Sequence, residues 1–301
     1  MLPKDVNITN IKASSKAAGS AMQGFVYGQI FLQVFMKGSM EDMWGAFFSL
    51  QLLCQLTLYG IPIPANGEMY VEQFRKLVDF DLFKPNNILP MIHKGWSTEY
   101  FIGISKVKVT GAMESSGIQS GNVIYNMSTF IFMGLAAFAA FALLSVLLLV
   151  KKFHDKIKAK LVDILKKTFF NNLIRSHSIS YIHLTVSFSI VIYLEMEKEK
   201  AVNLKQIAPL IALGVIPIFL LKVLLSKRET LDTLETREKI ERMYQDIALT
   251  RNSWTIYYYP MFLLRRFFFV VIPILLPDYP IIQVIVLGII NLLFVMFMGA
   301  V

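Results

Sequence analysis

The stretch WTIYYYPMFLLRRFFFVVIPILL, residues 254–276, decides how this chain is interpreted. It is long and apolar enough to cross a bilayer, since about 20 predominantly apolar residues span the hydrocarbon core. It also carries two adjacent arginines, Arg265 and Arg266, near its middle. An arginine at the centre of a membrane costs about 2.5–3.5 kcal/mol on insertion scales, so these two residues require an explanation.

The rest of the chain shares the apolar character of this stretch. Of its 301 residues, 55% are hydrophobic and 17% are charged, whereas soluble domains carry about 25% charged residues. The apolar residues fall in long blocks, which predicts an all-α polytopic membrane protein with about seven transmembrane helices. The predicted spans are residues 18–37, 43–61, 125–150, 178–194, 206–225, 254–276 and 280–301.

The distribution of basic residues predicts the orientation of these helices. Residues 151–177 carry eight Lys and Arg against two Asp, and loops rich in Lys and Arg remain on the cytoplasmic side. Alternation from this loop places the N-terminus outside and the C-terminus inside. We therefore predict a polar extracellular or lumenal segment over residues 1–17 and a single helical membrane domain over residues 18–301, with an outer loop at 62–124 and the basic cytoplasmic loop at 151–177.

Two N-glycosylation patterns agree with this orientation. They begin at Asn7 and Asn126 and fall on or near the predicted outer side. Because an Asn-X-Ser/Thr triplet is an acceptor for glycans, both residues are possible glycosylation sites.

The basic loop is itself amphipathic. Apolar residues recur through it at helical spacing, and lysines fill the remaining positions. Such a helix is expected to lie on the cytoplasmic surface and to contact anionic lipid headgroups, at about 1 kcal/mol per basic residue. The simpler alternative is a cluster that sets the topology and does nothing more. The candidate lipid-binding residues are Lys151, Lys152, Lys156, Lys158, Lys160, Lys166 and Lys167.

Two further helices are predicted outside the spans, and the one in the outer loop is amphipathic. In the outer loop, Tyr70, Phe74 and Leu77 recur at helical spacing, which predicts a short helix on the outer leaflet or on the bundle. In the inner loop 226–253 a helix is predicted over 234–249. This inner loop has no net charge, so the helix is expected to be solvated or packed on the bundle.

Polar and small residues within the first two blocks indicate helix packing. Ser20, Gly24 and Gly28 are spaced by four, an arrangement that allows two helices to approach closely. Gln51 and Gln55 are also four residues apart and share a helix face. They either hydrogen-bond across a helix pair, which we favour, or line a hydrated path.

No pattern in the sequence indicates catalysis. His, Cys, Asp and Glu do not cluster at metal-ligand spacing, and the glycine-rich phosphate loop and the G-x-S-x-G elbow are absent. The single cysteine, Cys54, cannot form an intrachain disulfide. We therefore predict a protein that is not an enzyme, with no catalytic, cofactor or metal site and no nucleic-acid partner.

A hinge at the membrane interface is the favoured interpretation of the two arginines. In this interpretation the helix breaks at Pro260, residues 254–263 lie in the interface, and Arg265 and Arg266 sit near the headgroups. The Trp and Tyr side chains at the start of the stretch are typical of an interfacial belt. Arg265, Arg266 and Pro260 are therefore candidate gating or hinge residues.

Two alternative roles for the arginines remain open. They either face the bundle and pair with Glu195, Asp42 or a carbonyl group, or they sense voltage or a ligand. Voltage sensors place an arginine at every third residue on one face, whereas two adjacent arginines project about 100° apart on a helix of 3.6 residues per turn. This spacing disfavours the voltage sensor.

Three stretches taken together resemble a known family. They are WGAFFSLQLLCQLTLYGIPIPAN (44–66), FRKLVDFDLFKPNNILPMI (74–92) and MFLLRRFFFVVIPILLPDYPIIQVIVLGIINLLFVMF (261–297). The most specific element is the tyrosine-rich segment that precedes LLRR, followed by DYPIIQ. These stretches are similar to the membrane portion of large ciliate surface proteins, which in turn resembles the transient-receptor-potential-like family that includes fungal flavin-carrier proteins.

The resemblance implies a helical bundle related to cation channels, in a plasma or ciliary membrane, assembled with other membrane subunits or as a homo-oligomer. It also implies a cysteine-rich ectodomain and further sequence after the last span, so we expect a fragment or a short version. The residues alone favour a non-conducting anchor or scaffold for an ectodomain or a partner complex, because the turn PDYP between the last two spans is too short to re-enter the bilayer. A transporter would predict two similar halves, and no internal repeat is detected.

Overall fold

The structure is a computed structural model, and it describes seven stretches of the chain. These are residues 41–59, 63–78, 85–95, 120–149, 155–197, 204–231 and 253–300, together with Ala13, Ala17, Met113, Ile118, Thr233, Thr236, Ile240, Met243 and Tyr244. Within these residues the chain is helical and contains no β-strand, in agreement with the predicted all-α class.

Nine α-helices are present in the described residues. They are α1 (Glu41–Cys54), α2 (Ala65–Val78), α3 (Pro85–Ile92), α4 (Val123–Asn126), α5 (Ser128–Leu149), α6 (Asp155–Glu197), α7 (Leu204–Ser226), α8 (Tyr258–Leu275) and α9 (Pro280–Ala300). Short 3-10 helices follow α1 at Gln55–Leu58, follow α7 at Arg228–Thr230 and precede α8 at Ser253–Tyr257.

Four helical stretches are long and apolar enough to cross a membrane. They are His177–Glu197 within α6, Leu204–Ser226, Trp254–Leu275 and Pro280–Ala300. All four coincide with the last four predicted spans. The described part of the chain therefore agrees with a helical protein embedded in a membrane.

The first three predicted spans have different outcomes. Residues 18–37 lie outside the described residues. The block 43–61 is divided between α1 and the 3-10 helix after it, and the block 125–150 corresponds in position to α5. The total of seven spans stays a prediction.

Helix α6 is longer than the sequence pattern suggested. It runs for 43 residues and contains neither Gly nor Pro. Because kinks arise almost always at Pro, at Gly or at π-bulges, nothing in α6 separates a surface helix from a span. Most of the basic loop 151–177 and the span predicted at 178–194 are therefore joined in one continuous helix about 65 Å long, whose first half contains most of the basic segment.

The chain divides into two compact units. One contains residues 1–129 and 272–283, and the other contains residues 130–271 and 284–301. Each unit has its own packing.

In the first unit α2 packs against α1. Val71 is buried, and the thiol of Cys54 lies 4.0 Å from its carbonyl oxygen. Nη2 of Arg75 donates a hydrogen bond to Oγ1 of Thr57 over 2.9 Å. The amphipathic helix predicted in the outer loop is therefore present and packs on a neighbouring helix.

The second unit is built around one apolar cluster, which we call the core cluster. Helices α6, α7 and α8 contribute to it, together with the loop between α7 and α8. Its members are Tyr181, Leu213, Leu224, Leu231, Met243, Tyr244, Ile256, Tyr259 and Leu263. Leu231, Met243 and Tyr244 of the inner loop lie in this cluster beside residues of the three helices, so the described residues of the loop pack on the bundle, as one of its two interpretations predicted.

Helices α7 and α8 approach closely at Gly214. A β-carbon built on Gly214 would lie 3.2 Å from Cζ of Phe267. Since that distance is shorter than an ordinary van der Waals contact, the absence of a side chain at this position sets the separation of the two helices.

Candidate functional site in the membrane core

Helix α8 carries both arginines into the apolar core. It begins at Tyr258 and places Pro260 in its first turn, where the missing N–H removes no intrahelical hydrogen bond. The helix continues through Pro260 to Leu275. The break predicted at Pro260 is therefore absent, and Arg265 and Arg266 lie near the middle of the apolar stretch.

The first arginine is bound by an amide on the next helix. Nε of Arg265 donates to Oδ1 of Asn291 on α9 over 2.7 Å. Nδ2 of Asn291 donates to the carbonyl oxygen of Leu287 over 2.9 Å, which orients its Oδ1 toward α8. The Arg265 guanidinium carbon also lies 4.8 Å from the centroid of the Phe294 ring, within the range of a cation–π contact.

Asn291 was not among the predicted partners of the arginines. The sequence contained a signal for it, because Asn291 and Gln283 are the two polar side chains in an otherwise apolar α9. An amide is a suitable ligand here, since a carboxylate in the same place would add a second costly charge to the membrane.

The second arginine faces the interior of its unit. Arg266 is fully buried, and its guanidinium carbon lies 5.1 Å from the centroid of the Phe262 ring. It interacts electrostatically with Tyr181, Tyr259 and His183. The position of Arg266 thus agrees with the interpretation in which the arginines face the bundle.

Hydroxyl groups around Arg266 join α6, α7 and α8. Ser178 Oγ and Tyr259 Oη are 2.5 Å apart in a hydrogen bond between α6 and α8. Tyr181 Oη donates to the carbonyl oxygen of Leu213 on α7 over 2.9 Å. We call Ser178, Tyr181, His183, Tyr259 and Arg266 the polar cluster.

Further hydroxyls of α6 are bonded within their own helix. Thr185 Oγ1 donates to the carbonyl oxygen of Tyr181 over 2.7 Å, and Ser187 Oγ donates to that of His183 over 2.7 Å. In a membrane, internal bonds of this kind lower the cost of a buried hydroxyl. Thr185 and Ser187 are therefore satisfied within α6, whereas the bonds that Ser178 forms with Tyr259 and that Tyr181 forms with Leu213 cross between helices.

Within the described residues no group of three or more His, Cys, Asp and Glu side chains is arranged to hold a metal ion. The five members of the polar cluster are two tyrosines, a serine, a histidine and an arginine.

Of the five residues predicted to pack helices together, Gln51 and Gln55 belong to the described part of the chain. Gln51 and Gln55 are both buried. Ser20, Gly24 and Gly28 lie outside the described residues.

The glycosylation pattern at Asn126 is poorly presented in the folded chain. Asn126 Nδ2 donates to the carbonyl oxygen of Ser120 over 2.9 Å, and both Met127 and Ser128 are buried. The nitrogen that would carry the glycan is thus engaged in the fold. Asn7 lies outside the described residues.

The candidate lipid-binding lysines belong to two groups. Lys151 and Lys152 lie outside the described residues. The remaining five, Lys156, Lys158, Lys160, Lys166 and Lys167, fall within the first half of α6. Contact of these residues with anionic lipid stays a prediction.

Comparison of the chain with protein-family models, with curated proteins and with solved structures finds no match. The resemblance to the transient-receptor-potential-like family therefore rests on residues 44–66, 74–92 and 261–297 alone, and what it implies stays a prediction.

Proposed function

We propose that the chain is a non-conducting membrane domain, an anchor or scaffold that holds an ectodomain or a partner complex at the bilayer. The observation that carries this proposal is the use of the intramembrane polar groups as cross-links. Arg265 binds Asn291, Ser178 binds Tyr259, and Tyr181 binds the backbone of α7. A hydrated path would instead require polar side chains directed at a column of water.

The outer surface of α9 supports the same proposal. Its exposed large side chains are all apolar: Ile281, Ile282, Val284, Ile285, Ile289, Leu292, Leu293, Val295, Met296 and Met298. The two polar residues of α9 point inward, since Gln283 is fully buried and Asn291 is bonded to Arg265. Such a surface is suited to lipid acyl chains.

The test is planar-bilayer recording of the purified chain, with the oligomeric state determined on the same sample. The anchor proposal expects a folded, defined assembly that carries no current above that of protein-free bilayers. Reproducible cation currents that change when Arg265→Leu and Arg266→Leu are introduced would overturn it. Gly288→Ala is the matched control, because a β-carbon at Gly288 meets no atom within 4 Å.

A cation-channel-related subunit is the second candidate function. It is favoured because only a small fraction of the residues of α7 and α9 is buried. Both helices therefore present surface that neighbouring subunits could contact. A conduction path would then form between chains. In the same recordings, this candidate expects current only from samples that contain an oligomer.

We further propose the membrane context that the basic residues predict. The chain spans the membrane about seven times with its N-terminus outside and its C-terminus in the cytoplasm, in a plasma or ciliary membrane, with lysines of the first half of α6 near anionic headgroups. Labelling of single cysteines from either side of sealed cells tests this orientation. A cysteine near residue 2 is expected to react from outside.

A further inference from the structure

The inner loop begins with an exposed turn that carries three threonine hydroxyls. Thr230 closes the 3-10 helix Arg228–Thr230 after α7, and its Oγ1 donates to the carbonyl oxygen of Lys227 over 3.1 Å. Oγ1 of Thr233 donates to the carbonyl oxygen of Thr230 over 2.7 Å and lies 3.0 Å from Oγ1 of Thr236. Thr230 and Thr233 are both exposed. The turn therefore presents hydroxyl groups that a modifying enzyme can reach.

The residues around Thr230 form a charge pattern that protein kinases recognise. Lys227 and Arg228 lie three and two residues before Thr230, and Leu231 follows it. Basophilic kinases bind such a pair of basic side chains through acidic groups beside the active site, and they accept an apolar side chain directly after the acceptor hydroxyl. Both basic side chains are exposed. Thr233 lacks this pattern, since neither of the two corresponding positions before it is basic.

Leu231 couples this turn to the core cluster. Its side chain is 3% exposed and belongs to the core cluster, and its carbonyl oxygen accepts a hydrogen bond from Tyr244 Oη over 2.8 Å. Because protein kinases bind substrate segments in an extended conformation, Leu231 has to leave the cluster before Thr230 enters a kinase active site. The turn is held by backbone bonds at the surface, and such segments open locally at a low free energy. The population of the opened loop therefore sets the rate of modification.

We propose that Thr230 is a phosphorylation site for a basophilic kinase and that the phosphate weakens the packing of the inner loop on the core cluster. The donor is ATP. The bond from Thr230 Oγ1 to the γ-phosphorus forms, the bond from that phosphorus to the β-phosphate oxygen breaks, the hydroxyl proton passes to a base of the kinase, and ADP leaves. The site rests on the proposed orientation, which places residues 226–253 in the cytoplasm, where ATP is available.

The phosphate changes the electrostatics of the turn. Residues 227–232 carry two basic and two acidic side chains, so a phosphate with a charge of about −1.5 to −2 makes the segment negative. It lies just beyond the carboxyl end of α7, where the helix dipole disfavours negative charge. The modified Oγ1 no longer donates to the carbonyl oxygen of Lys227. Each effect weakens the turn that holds Leu231 in the core cluster.

Phosphorylation of the purified full chain in detergent micelles tests the site. The probe is the catalytic subunit of cyclic-AMP-dependent protein kinase with ATP, and mass spectrometry locates the phosphate. It is expected on Thr230, and Lys227→Gln with Arg228→Gln should lower the rate about tenfold. Lys222→Gln is the matched control, an exposed lysine of α7, and should leave the rate unchanged. An unmodified Thr230, or a rate that does not depend on the two basic residues, would overturn the proposal.

Tyr244→Phe tests the coupling of the turn to the core cluster. Loss of the hydrogen bond to the carbonyl oxygen of Leu231 should raise the rate of Thr230 phosphorylation about fivefold, the factor that corresponds to one hydrogen bond. Phosphorylation should in turn accelerate hydrogen exchange in the segment from Leu231 to Tyr244 about tenfold. Tyr279→Phe is the control, since Tyr279 is exposed in the turn before α9. An unchanged rate for Tyr244→Phe, or unchanged exchange after phosphorylation, would contradict the coupling.

Sealed vesicles distinguish failure of the site from failure of the proposed orientation. With the kinase and ATP added outside, Thr230 is expected to be modified in inside-out vesicles and to stay unmodified in right-side-out vesicles. Modification in micelles and in right-side-out vesicles alone would show that the orientation is reversed, and it would overturn Thr230 as a site for a cytoplasmic kinase. Neither result bears on the planar-bilayer recordings that test the anchor.

Discussion

Arg265 on α8 and Asn291 on α9 are joined by a hydrogen bond of 2.7 Å from Nε to Oδ1. The charge is thus bound by a neutral amide, and the amide is oriented by its own bond to the carbonyl oxygen of Leu287. Because a carboxylate would have to be desolvated as well, the amide offers a less costly way to bind an arginine within the membrane. The pair links two helices that are separated by only a short turn.

A double-mutant cycle measures this pair. Arg265→Met and Asn291→Leu are expected to show a coupling of about 1 kcal/mol in the free energy of unfolding, near the value for interhelical hydrogen bonds in membranes. Unfolding in mixed micelles supplies the four free energies. Lys222→Met combined with Asn291→Leu is the control, since Lys222 is an exposed residue of α7. A coupling for the Arg265 pair no larger than that of the control would contradict the assignment.

Arg266 is expected to matter more for stability than Arg265, because its side chain is fully buried. Truncation by Arg266→Ala leaves a cavity among aromatic rings and should lower the free energy of unfolding by about 3 kcal/mol. Arg265→Ala should cost less, since its side chain is partly exposed. Equal losses in the free energy of unfolding for the two variants, measured in parallel, would contradict the larger contribution of Arg266 to stability.

The double variant Arg265→Leu with Arg266→Leu separates insertion from folding. Leucine inserts more readily than arginine, so the amount of chain in the membrane fraction should not fall. The fraction that elutes as a folded assembly should fall, because the bond of Arg265 to Asn291 and the buried packing of Arg266 against Phe262 are lost. Unchanged expression, assembly and activity of the double variant would contradict the claim that these arginines are needed for folding and assembly.

The hydrogen bond between Ser178 and Tyr259 joins α6 to α8. Ser178→Ala and Tyr259→Phe should each destabilise the chain, with a coupling of about 1 kcal/mol between them. Tyr279→Phe serves as the control, because Tyr279 is exposed in the turn before α9. Additive effects of the first two substitutions would show that the bond contributes nothing to stability.

Gly214 and Gly288 form a matched pair of helical glycines. A β-carbon at Gly214 meets Phe267 at 3.2 Å, whereas one at Gly288 meets no atom within 4 Å. Gly214→Val should therefore cost about 1–3 kcal/mol more than Gly288→Val, the range for overpacking a core. The melting temperatures of the two variants in detergent make the comparison, and a lower value for Gly288→Val would contradict it.

Much of the helical architecture could be predicted from the sequence. The last four spans appear where the apolar blocks placed them, because the ability of a helix to cross a bilayer depends only on its length and composition. The extent of α6 could not be predicted in the same way. Its basic and apolar halves differ in composition, and a boundary was expected between them, yet backbone hydrogen bonding continues through both halves because no Gly or Pro interrupts it.

The sequence by itself determined that two arginines lie in an apolar stretch and that each needs a partner. Only the tertiary structure decided which partner each one has. Arg265 and Arg266 project about 100° apart, so the rotation of α8 against its neighbours directs one toward Asn291 on α9 and the second toward the tyrosines of the polar cluster. That rotation depends on side-chain packing between helices, such as the contact of Gly214 with Phe267, and packing between distant segments leaves no periodic signal in a single sequence.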